Sequence, residues 1–272
     1  MGWELGETAR ARGIGLLALE EVDSTNEEGK RLAAAGERGP LWIAARRQSK
    51  GRGRLGREWV SREGNLHASL IYSDCPDPAK APQLGFVAGL AAISAVKDVT
   101  GLGDRIALKW PNDLLLDGGK LGGILLEGVS VATGDERQPD RMVTIIGIGV
   151  NCAFAPEGLP YPARALKDVL PRAPSAEELL ARLSDSFAAT LDLWSGRDGF
   201  AAVREKWLQE AAGVGHAIRV NCARGVELRG RFKTIDAFGR LVVATGQGDE
   251  IVDAGDVFFG EAGSFRPSNG IA

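Results

Sequence analysis

The chain has 272 residues, a formal net charge of −3, 44% hydrophobic residues and 25% charged residues. These values are ordinary for a globular protein and exclude the disordered and fibrous classes. Because single hydrophobic cores stop growing near about 250 residues, we expect one large domain and one small one. The nearly balanced charge argues against a general binder of polyanions.

The cysteines and the hydropathy pattern bear on where in the cell the protein is located. Cys75, Cys152 and Cys222 are widely spaced and odd in number, which argues against a disulfide framework and a CxxC metal site. Charged residues occupy the N-terminal stretch where a signal peptide would be apolar. No apolar run approaches the roughly 18 residues that span a bilayer. We therefore expect a cytoplasmic protein with no membrane association.

The first half of the chain predicts a helix, two strands and a second helix. Ser24 and Glu27 have the spacing of a capping box, so a helix is expected from there to about Ala35. A strand, a loop without periodicity, an alternating strand and an Ala-rich helix follow. Their expected ranges are residues 41–45, 46–58, 67–73 and 81–99.

The second half predicts a largely antiparallel sheet, two helices and a β-rich tail. Pro111 interrupts a strand pattern, Gly118 and Gly119 have hairpin chemistry, and Ser175 with Glu178 again matches a capping box. The strands expected before the helices cover residues 105–109, 114–116, 121–127 and 143–150. The expected helices cover residues 175–194 and 200–211. The short strands of the tail cover residues 217–221, 226–235, 241–245 and 250–252, which predicts a small barrel.

The most unusual part of the sequence is the basic segment, residues 46–57. It contains six cationic side chains, three glycines and no acidic side chain. Glycines let backbone N–H groups turn towards an anion, so the segment favours phosphate binding. A solvated charged surface and a nucleic-acid-binding segment are the alternatives. Six like charges also repel one another, so we expect the segment to be mobile until an anion neutralises it.

Three shorter motifs have both structural and functional interpretations. They are Lys-Trp-Pro-Asn-Asp at residues 109–113, Lys-Leu-Gly-Gly-Ile-Leu-Leu-Glu at residues 120–127 and Gly-Ile-Gly-Val-Asn at residues 147–151. The first also fits an edge-strand turn, the lysine of the second fits a solvated hairpin, and the third fits a strand followed by a loop. Paired glycines within a strand, however, often mark close approach by a ligand or by another backbone.

Together with Ser24-Thr25-Asn26 and residues 48–59, these motifs closely resemble the biotin protein ligase family over about residues 20–152. The resemblance implies an α/β (α+β) protein, with a mixed-sheet catalytic domain at residues 1–212 and a small SH3-like β-barrel at residues 213–272. The tail pattern independently suggests that boundary. Only about twenty residues precede Ser24, so the expected type is monofunctional, without an N-terminal DNA-binding domain.

The activity implied by the resemblance is that of a biotin–[biotin carboxyl-carrier protein] ligase. Such an enzyme uses ATP to convert biotin to biotinyl-5'-AMP. It then forms a carbon–nitrogen bond to a lysine of the biotin carboxyl carrier protein of a biotin-dependent carboxylase. The implied ligands are biotin, ATP and Mg²⁺. The implied partner is the carrier protein, with no nucleic acid and a possible homodimer.

The resemblance also assigns roles by position. Lys120 and Arg54 would be catalytic, placing positive charge where the biotin carboxylate meets the α-phosphate. Asp113 is the acid expected near Mg²⁺, which prefers oxygen ligands. The residues expected to bind biotin are Ser24, Thr25, Asn26, Gln48, Gly51, Arg52, Gly53, Arg54, Lys120 and Gly123. The residues expected to bind ATP are Arg54, Arg57, Trp59, Lys109, Asn112, Asp113, Lys120 and Asn151.

Two competing functions remain at this point. A lipoate or octanoyl ligase shares the architecture and the carrier-lysine chemistry, although the basic segment together with residues 109–113 favours biotin. An RNA-binding module would want aromatic side chains beside the basic residues, and only Trp59 is available. The two histidines, His67 and His216, fall in a predicted strand and in the predicted barrel, so the sequence offers no Ser-His-Asp set.

Overall fold

The computed structural model describes residues 2–75, 77–132, 140–222 and 225–260. Most of the chain before residue 213 builds a seven-stranded mixed sheet with helices on both faces. Its strands are β1 (Gly15–Val22), β2 (Leu41–Gln48), β3 (Leu66–Tyr72), β4 (Ile106–Lys109), β5 (Asp113–Leu116), β6 (Gly119–Val131) and β7 (Arg141–Val150). They lie in the order β1-β2-β3-β7-β6-β5-β4, with β1 and β2 parallel and all other neighbours antiparallel.

Alternation along the strands determines which helix covers which face. The helices are α1 (Glu7–Ala11), α2 (Thr25–Ala34), α3 (Leu84–Thr100), α4 (Ala176–Ser195) and α5 (Phe200–Gln209). Ile43, Ile71 and Ile145 pack with Ala33 of α2, whereas their strand neighbours Trp42, Leu70 and Ile146 belong to the larger core with α3 and α4. Because successive strand residues point to opposite faces, both faces of the sheet are buried.

The expectation that no apolar stretch is long enough to span a bilayer was wrong for one helical stretch. Pro78–Thr100, which includes α3, is long and apolar enough to cross a membrane by length and composition alone, although no such stretch was expected. However, 67% of its most apolar window is buried within the protein. Leu84, Val87 and Ala91 are fully buried in the main core. The stretch therefore occupies the position of a core helix.

The C-terminal sheet is a separate five-stranded antiparallel sheet. It contains β8 (Ala217–Cys222), β9 (Glu227–Ile235), β10 (Leu241–Thr245), β11 (Gly248–Val252) and β12 (Gly255–Phe259), in the order β11-β10-β9-β8-β12. Its apolar side chains Phe232, Val243 and Val257 belong to the same buried cluster as α3 and α4. The indole Nε1 of Trp110, itself 2% exposed, donates to the Gly239 carbonyl oxygen at 2.9 Å. The two sheets thus share one continuous core.

The predicted fold class, a mixed-sheet unit followed by a small C-terminal β unit, is confirmed, but several elements differ in detail. Helix α1 and strands β1 and β12 were not predicted. Strand β2 continues to Gln48, so a loop beginning at residue 46 was wrong; parallel pairing with β1 holds these residues in the sheet. The expected capping box at Ser24 is absent, because its side chain caps nothing and Glu27 pairs with Lys30. The capping box of Ser175 and Glu178 is present.

We predict that Trp110→Phe weakens the attachment of the C-terminal sheet. The substitution removes the hydrogen bond from the indole to the buried Gly239 carbonyl oxygen, which costs about 1–3 kcal/mol, in addition to the loss of packing volume. Trp42→Phe is the matched control, since Trp42 is equally buried and its Nε1 has no partner among the described residues. Urea unfolding should show the larger loss of stability for Trp110→Phe. Equal losses for both variants would contradict a role for this hydrogen bond.

Candidate active site

The site lies on the α2 face of the mixed sheet, beyond the N-terminal end of that helix. A cleft opens there. Thirteen residues with expected ligand roles line it: Ser24, Thr25, Asn26, Gln48, Arg52, Gly53, Arg54, Arg57, Trp59, Asn112, Asp113, Lys120 and Gly123. Residues from α2, β2, β5, β6 and the basic segment, far apart in the sequence, therefore meet in one place.

One end of the cleft is a buried hydrogen-bonding network of neutral side chains, and one of them, Asn26, also donates to the Glu127 carboxylate at 2.9 Å. The Gln48 side-chain oxygen accepts from the backbone N–H of Thr25 at 2.7 Å and from its hydroxyl at 3.1 Å. Ser69 Oγ lies 2.7 Å from Thr25 Oγ1 and 2.6 Å from Asn26 Oδ1. Ser24, Thr25 and Asn26 are each at most 4% exposed. We call this group the polar end of the cleft, and its side chains are held in fixed positions.

Glycines create the space in which this network and the adjacent wall fit. A Cβ on Gly147 would lie 2.3 Å from Asn26 Oδ1, and one on Gly149 would lie 2.6 Å from the Trp59 ring. On Gly51 it would lie 2.4 Å from the Trp59 carbonyl oxygen. These glycines of the motifs therefore serve close packing of Asn26 and Trp59. Gly51 itself lies beneath the cleft rather than in its lining.

The opposite end of the cleft is cationic. Lys120 Nζ lies 2.6 Å from Asp113 Oδ1 and 5.8 Å from the ring centres of both Trp59 and Tyr161. The connector after β7 fixes the Lys120 backbone on both sides, since its N–H donates to the Pro162 carbonyl and its carbonyl accepts from the Arg164 N–H. Lys120 is thus a half-buried cation on a rigid strand, not a solvated hairpin residue.

Arg54 is a second cation in this region, with an uncharged partner. Its Nη1 donates to Asn112 Oδ1 at 3.0 Å, while Asn112 Nδ2 donates to the Ile124 carbonyl oxygen at 2.7 Å. Burial lowers the pKa of Arg54, and no carboxylate lies within ion-pair distance of it among the described residues. A partly desolvated guanidinium of this kind is strongly stabilised by an added anion.

The other arginines of the basic segment have acidic partners, which corrects the premise that its charges are uncompensated. Arg46 pairs with Glu177 at 2.7 Å, Arg52 pairs with Glu127 at 3.1 Å and also contacts Glu27. Arg57 forms an ion pair with Asp256 of β12. These acids come from distant parts of the chain, so the expected mutual repulsion is largely cancelled. The expected mobility of the segment stays a prediction.

Two of the expected ATP-binding residues lie outside the cleft lining. Lys109 Nζ lies 5.7 Å and 5.9 Å from the ring centres of Phe258 and Phe259, in a neighbouring groove, and burial lowers its pKa. Asn151 is 2% exposed; it accepts from Asn65 Nδ2 and donates to the Arg164 carbonyl oxygen. Both side chains therefore contact other protein groups next to the cleft.

The cleft also contains residues that the sequence did not single out. Tyr161 comes from the connector after β7, and Asp256 comes from the unpredicted strand β12, so no local signal marked either residue. His67 lies on β3, where alternation with Ser69 was a usable signal because both residues share a face. His67 is 1% exposed, and burial lowers its pKa to about 4.

Three carboxylates line the cleft, those of Glu58, Asp113 and Asp256. Within the described ranges, no group of three His, Cys, Asp or Glu side chains is placed to hold a metal ion. Asp113 lines the cleft, with Lys120 as its cationic partner. Mg²⁺ that accompanies a nucleotide commonly takes one or two protein carboxylates and completes its shell with phosphate and water oxygens. The residues present fit a metal site of that type, completed by the nucleotide.

Comparisons with known proteins identify relatives of this chain. A model of the Biotin/lipoate A/B protein ligase family matches residues 19–151, and one of the Biotin protein ligase C terminal domain matches residues 215–260. A biotin–[acetyl-CoA-carboxylase] ligase of Paracoccus denitrificans is 39% identical over 89% of this chain and 99% of its own length. The ligase of that name from Mycobacterium tuberculosis is 32% identical over 88% and 86%.

A solved structure gives the same result. The biotin protein ligase of Aquifex aeolicus in complex with biotin and ATP is similar with a TM-score of 0.75 and 26% identity, covering 90% of this chain and 99% of that one. The similarity extends over both sheets rather than over the motifs alone. The resemblance read from the sequence is therefore confirmed, and the chain belongs to the biotin protein ligase family.

Proposed function

We propose that this protein uses ATP to activate biotin as biotinyl-5'-AMP and then transfers biotin to a lysine of the biotin carboxyl carrier protein of a biotin-dependent carboxylase. The observation that carries the proposal is the polarity of the cleft. A buried, neutral hydrogen-bonding end and a cationic end lie in one cavity. Biotin has a matching polarity, with an uncharged ureido ring at one end and a carboxylate at the other.

The polar end is proposed to bind the ureido ring. Ser24, Thr25 and Asn26 are buried at the N-terminus of α2, and Gln48 is held against Thr25. Such groups select by hydrogen bonding, because their positions are fixed before a ligand arrives. Arg52, Gly53 and Gly123 also line the cleft, and Gly51 packs against the Trp59 carbonyl oxygen.

The cationic end is proposed to carry out adenylation. A carboxylate oxygen of biotin attacks the α-phosphorus of ATP, a phosphorus–oxygen bond forms, the bond to the β-phosphate breaks and pyrophosphate leaves. Both reactants are anions, so positive charge must be placed where they meet. Lys120 and Arg54 supply it, and Lys120 exchanges its partner Asp113 for the reacting anions.

The remaining nucleotide contacts are proposed to come from the walls. Arg57, Trp59 and Asn112 line the cleft beside Lys120. Asp113 would hold Mg²⁺, which would supply further positive charge to the phosphates when bound. For Lys109 and Asn151, whose side chains are held outside the lining, we propose an indirect role in supporting these walls.

Transfer to the carrier completes the proposed cycle. The carrier lysine amine attacks the acyl carbon of biotinyl-5'-AMP, a carbon–nitrogen bond forms, AMP leaves and the amine loses a proton. The mixed anhydride is already activated, so positioning the amine provides much of the acceleration. The names of the two curated relatives, which specify acetyl-CoA carboxylase, support the choice of acceptor. We further propose the division at residues 1–212 and 213–272, and a cytoplasmic location, where ATP is available.

Lys120→Ala tests the proposed catalytic cation. Because Lys120 would stabilise charge that is most concentrated during transfer, its removal should lower the rate of biotinyl-5'-AMP formation by about 100-fold or more. The loss should exceed any loss of ATP affinity. Lys233→Ala is the control, since Lys233 is an exposed lysine of β9 that pairs with Asp249. Melting temperatures would be recorded for both, and near-parental activity of Lys120→Ala would refute the assignment.

Limited trypsin digestion tests ligand contact by the basic segment. Biotin with ATP should suppress cleavage after Arg52, Arg54 and Arg57, because phosphate would replace weaker carboxylate or amide partners. Arg172 provides an internal control, since its side chain is 83% exposed and lies away from the cleft. Equal protection at Arg172, or none within the basic segment, would count against the proposal.

A further inference from the structure

We infer that His67 contacts the substrate and determines specificity: its imidazole Nδ1 accepts a hydrogen bond from a ureido N–H of biotin. The inference rests on the proposed function, and it deepens it by identifying what the polar end recognises. His67 lines the cleft and is 1% exposed. Its Nδ1 is buried and has no hydrogen-bond partner among the described residues.

The sheet places His67 beside the polar end. In the pairing of β3 with β7, His67 lies opposite Gly149 and Ser69 lies opposite Gly147. His67 and Ser69 share the α2 face, and Ser69 contacts both Thr25 and Asn26. Asn26 and Trp59 occupy the space that these two glycines leave above the sheet, so His67 lies next to the polar end and the Trp59 wall.

The other ring nitrogen determines which atom carries the proton. His67 Nε2 lies 3.1 Å from the Arg62 carbonyl oxygen. A carbonyl oxygen accepts hydrogen bonds and cannot donate one, so Nε2 carries the proton and Nδ1 has a lone pair. Since burial lowers the pKa to about 4, the ring is neutral near pH 7. Nδ1 is therefore an acceptor that lacks a donor.

The two side-chain amide oxygens of the polar end already have hydrogen-bond partners. Gln48 Oε1 accepts from Thr25, and Asn26 Oδ1 lies within hydrogen-bond distance of Ser69. A ureido ring brings two N–H donors, whereas the ring of lipoate and the chain of octanoate bring none. A buried acceptor without a donor is unfavourable, so a ligand that supplies an N–H is preferred to one that does not. His67 thereby separates biotin from the other acids that related ligases activate.

A purely structural role for His67 is the competing explanation, since its Nε2 also holds the Arg62 carbonyl. Two substitutions separate the roles. In His67→Gln the amide reaches the position of Nε2, so the bond to Arg62 is kept and the Nδ1 acceptor is lost. In His67→Asn an amide occupies the position of Nδ1, so the acceptor is kept and the bond to Arg62 is lost. His216→Gln, at an exposed bend immediately before β8, controls for the substitution itself.

The experiment measures binding of biotin, desthiobiotin and lipoate by calorimetry, together with adenylation of each acid and the melting temperature of each variant. His67→Gln should weaken biotin binding about 10- to 100-fold, the range typical of an unpaired buried polar group. Desthiobiotin, which keeps both ureido N–H groups and lacks the thioether, should lose the same factor. His67→Asn and His216→Gln should stay within about threefold of the parent. Lipoate activation should not fall in His67→Gln.

Distinct results overturn the inference and the proposed function. If His67→Gln binds biotin as the parent does, or if His67→Asn loses as much as His67→Gln, the inference is wrong. If desthiobiotin escapes the loss, the contact is to the sulfur and not to the ureido group, which also overturns it. A parent that binds biotin and forms no biotinyl-5'-AMP refutes only the proposed function. A parent that binds no biotin refutes both.

Discussion

The site depends on the close approach of the α2 N-terminus to the face of the mixed sheet. Asn26 fits against β7 because Gly147 has no side chain, and a Cβ there would lie 2.3 Å from the amide oxygen. Asn26 Nδ2 then reaches Glu127 at 2.9 Å, and Thr25 is held by Gln48 at the end of β2. Burying these polar groups is tolerable only because they satisfy one another. The same network forms one end of the cleft.

Charge compensation over long sequence distances governs the rest of the site. The partners of Arg52 and Arg57 are separated from them by 75 and 199 residues, respectively. These ion pairs hold the basic segment in place and leave the cleft open for a ligand. Arg54 differs, because its partner is the neutral side chain of Asn112. The cleft therefore combines cations that are balanced in the fold with one that has most to gain from an incoming phosphate.

The sequence predicted the general architecture and most of the cleft lining because those features are encoded locally. Glycine pairs, the strong strand of β7 and the N-terminus of α2 each produce a recognisable pattern. Strand β1 was missed because Leu-Leu-Ala-Leu-Glu-Glu lacks β-branched residues and is held by parallel pairing with β2. Asp256 and Tyr161 were missed because only tertiary folding brings them to Lys120. For the same reason, the hydrogen bond from Asn151 to the connector after β7 could not be predicted from its position at a strand end.

The contact between Arg57 and Asp256 has a thermodynamic consequence. It joins the basic segment to β12, so one guanidinium is shared between the cleft and the C-terminal sheet. Under the proposed function, a nucleotide phosphate at Arg57 would compete with the Asp256 carboxylate for the Nη1 and Nη2 donors. Linkage makes such competition reciprocal: bound phosphate would weaken the Arg57–Asp256 contact by the same factor by which that contact weakens phosphate binding. Under the proposed function, nucleotide binding in the cleft would thus be coupled to the contact between the basic segment and the C-terminal sheet.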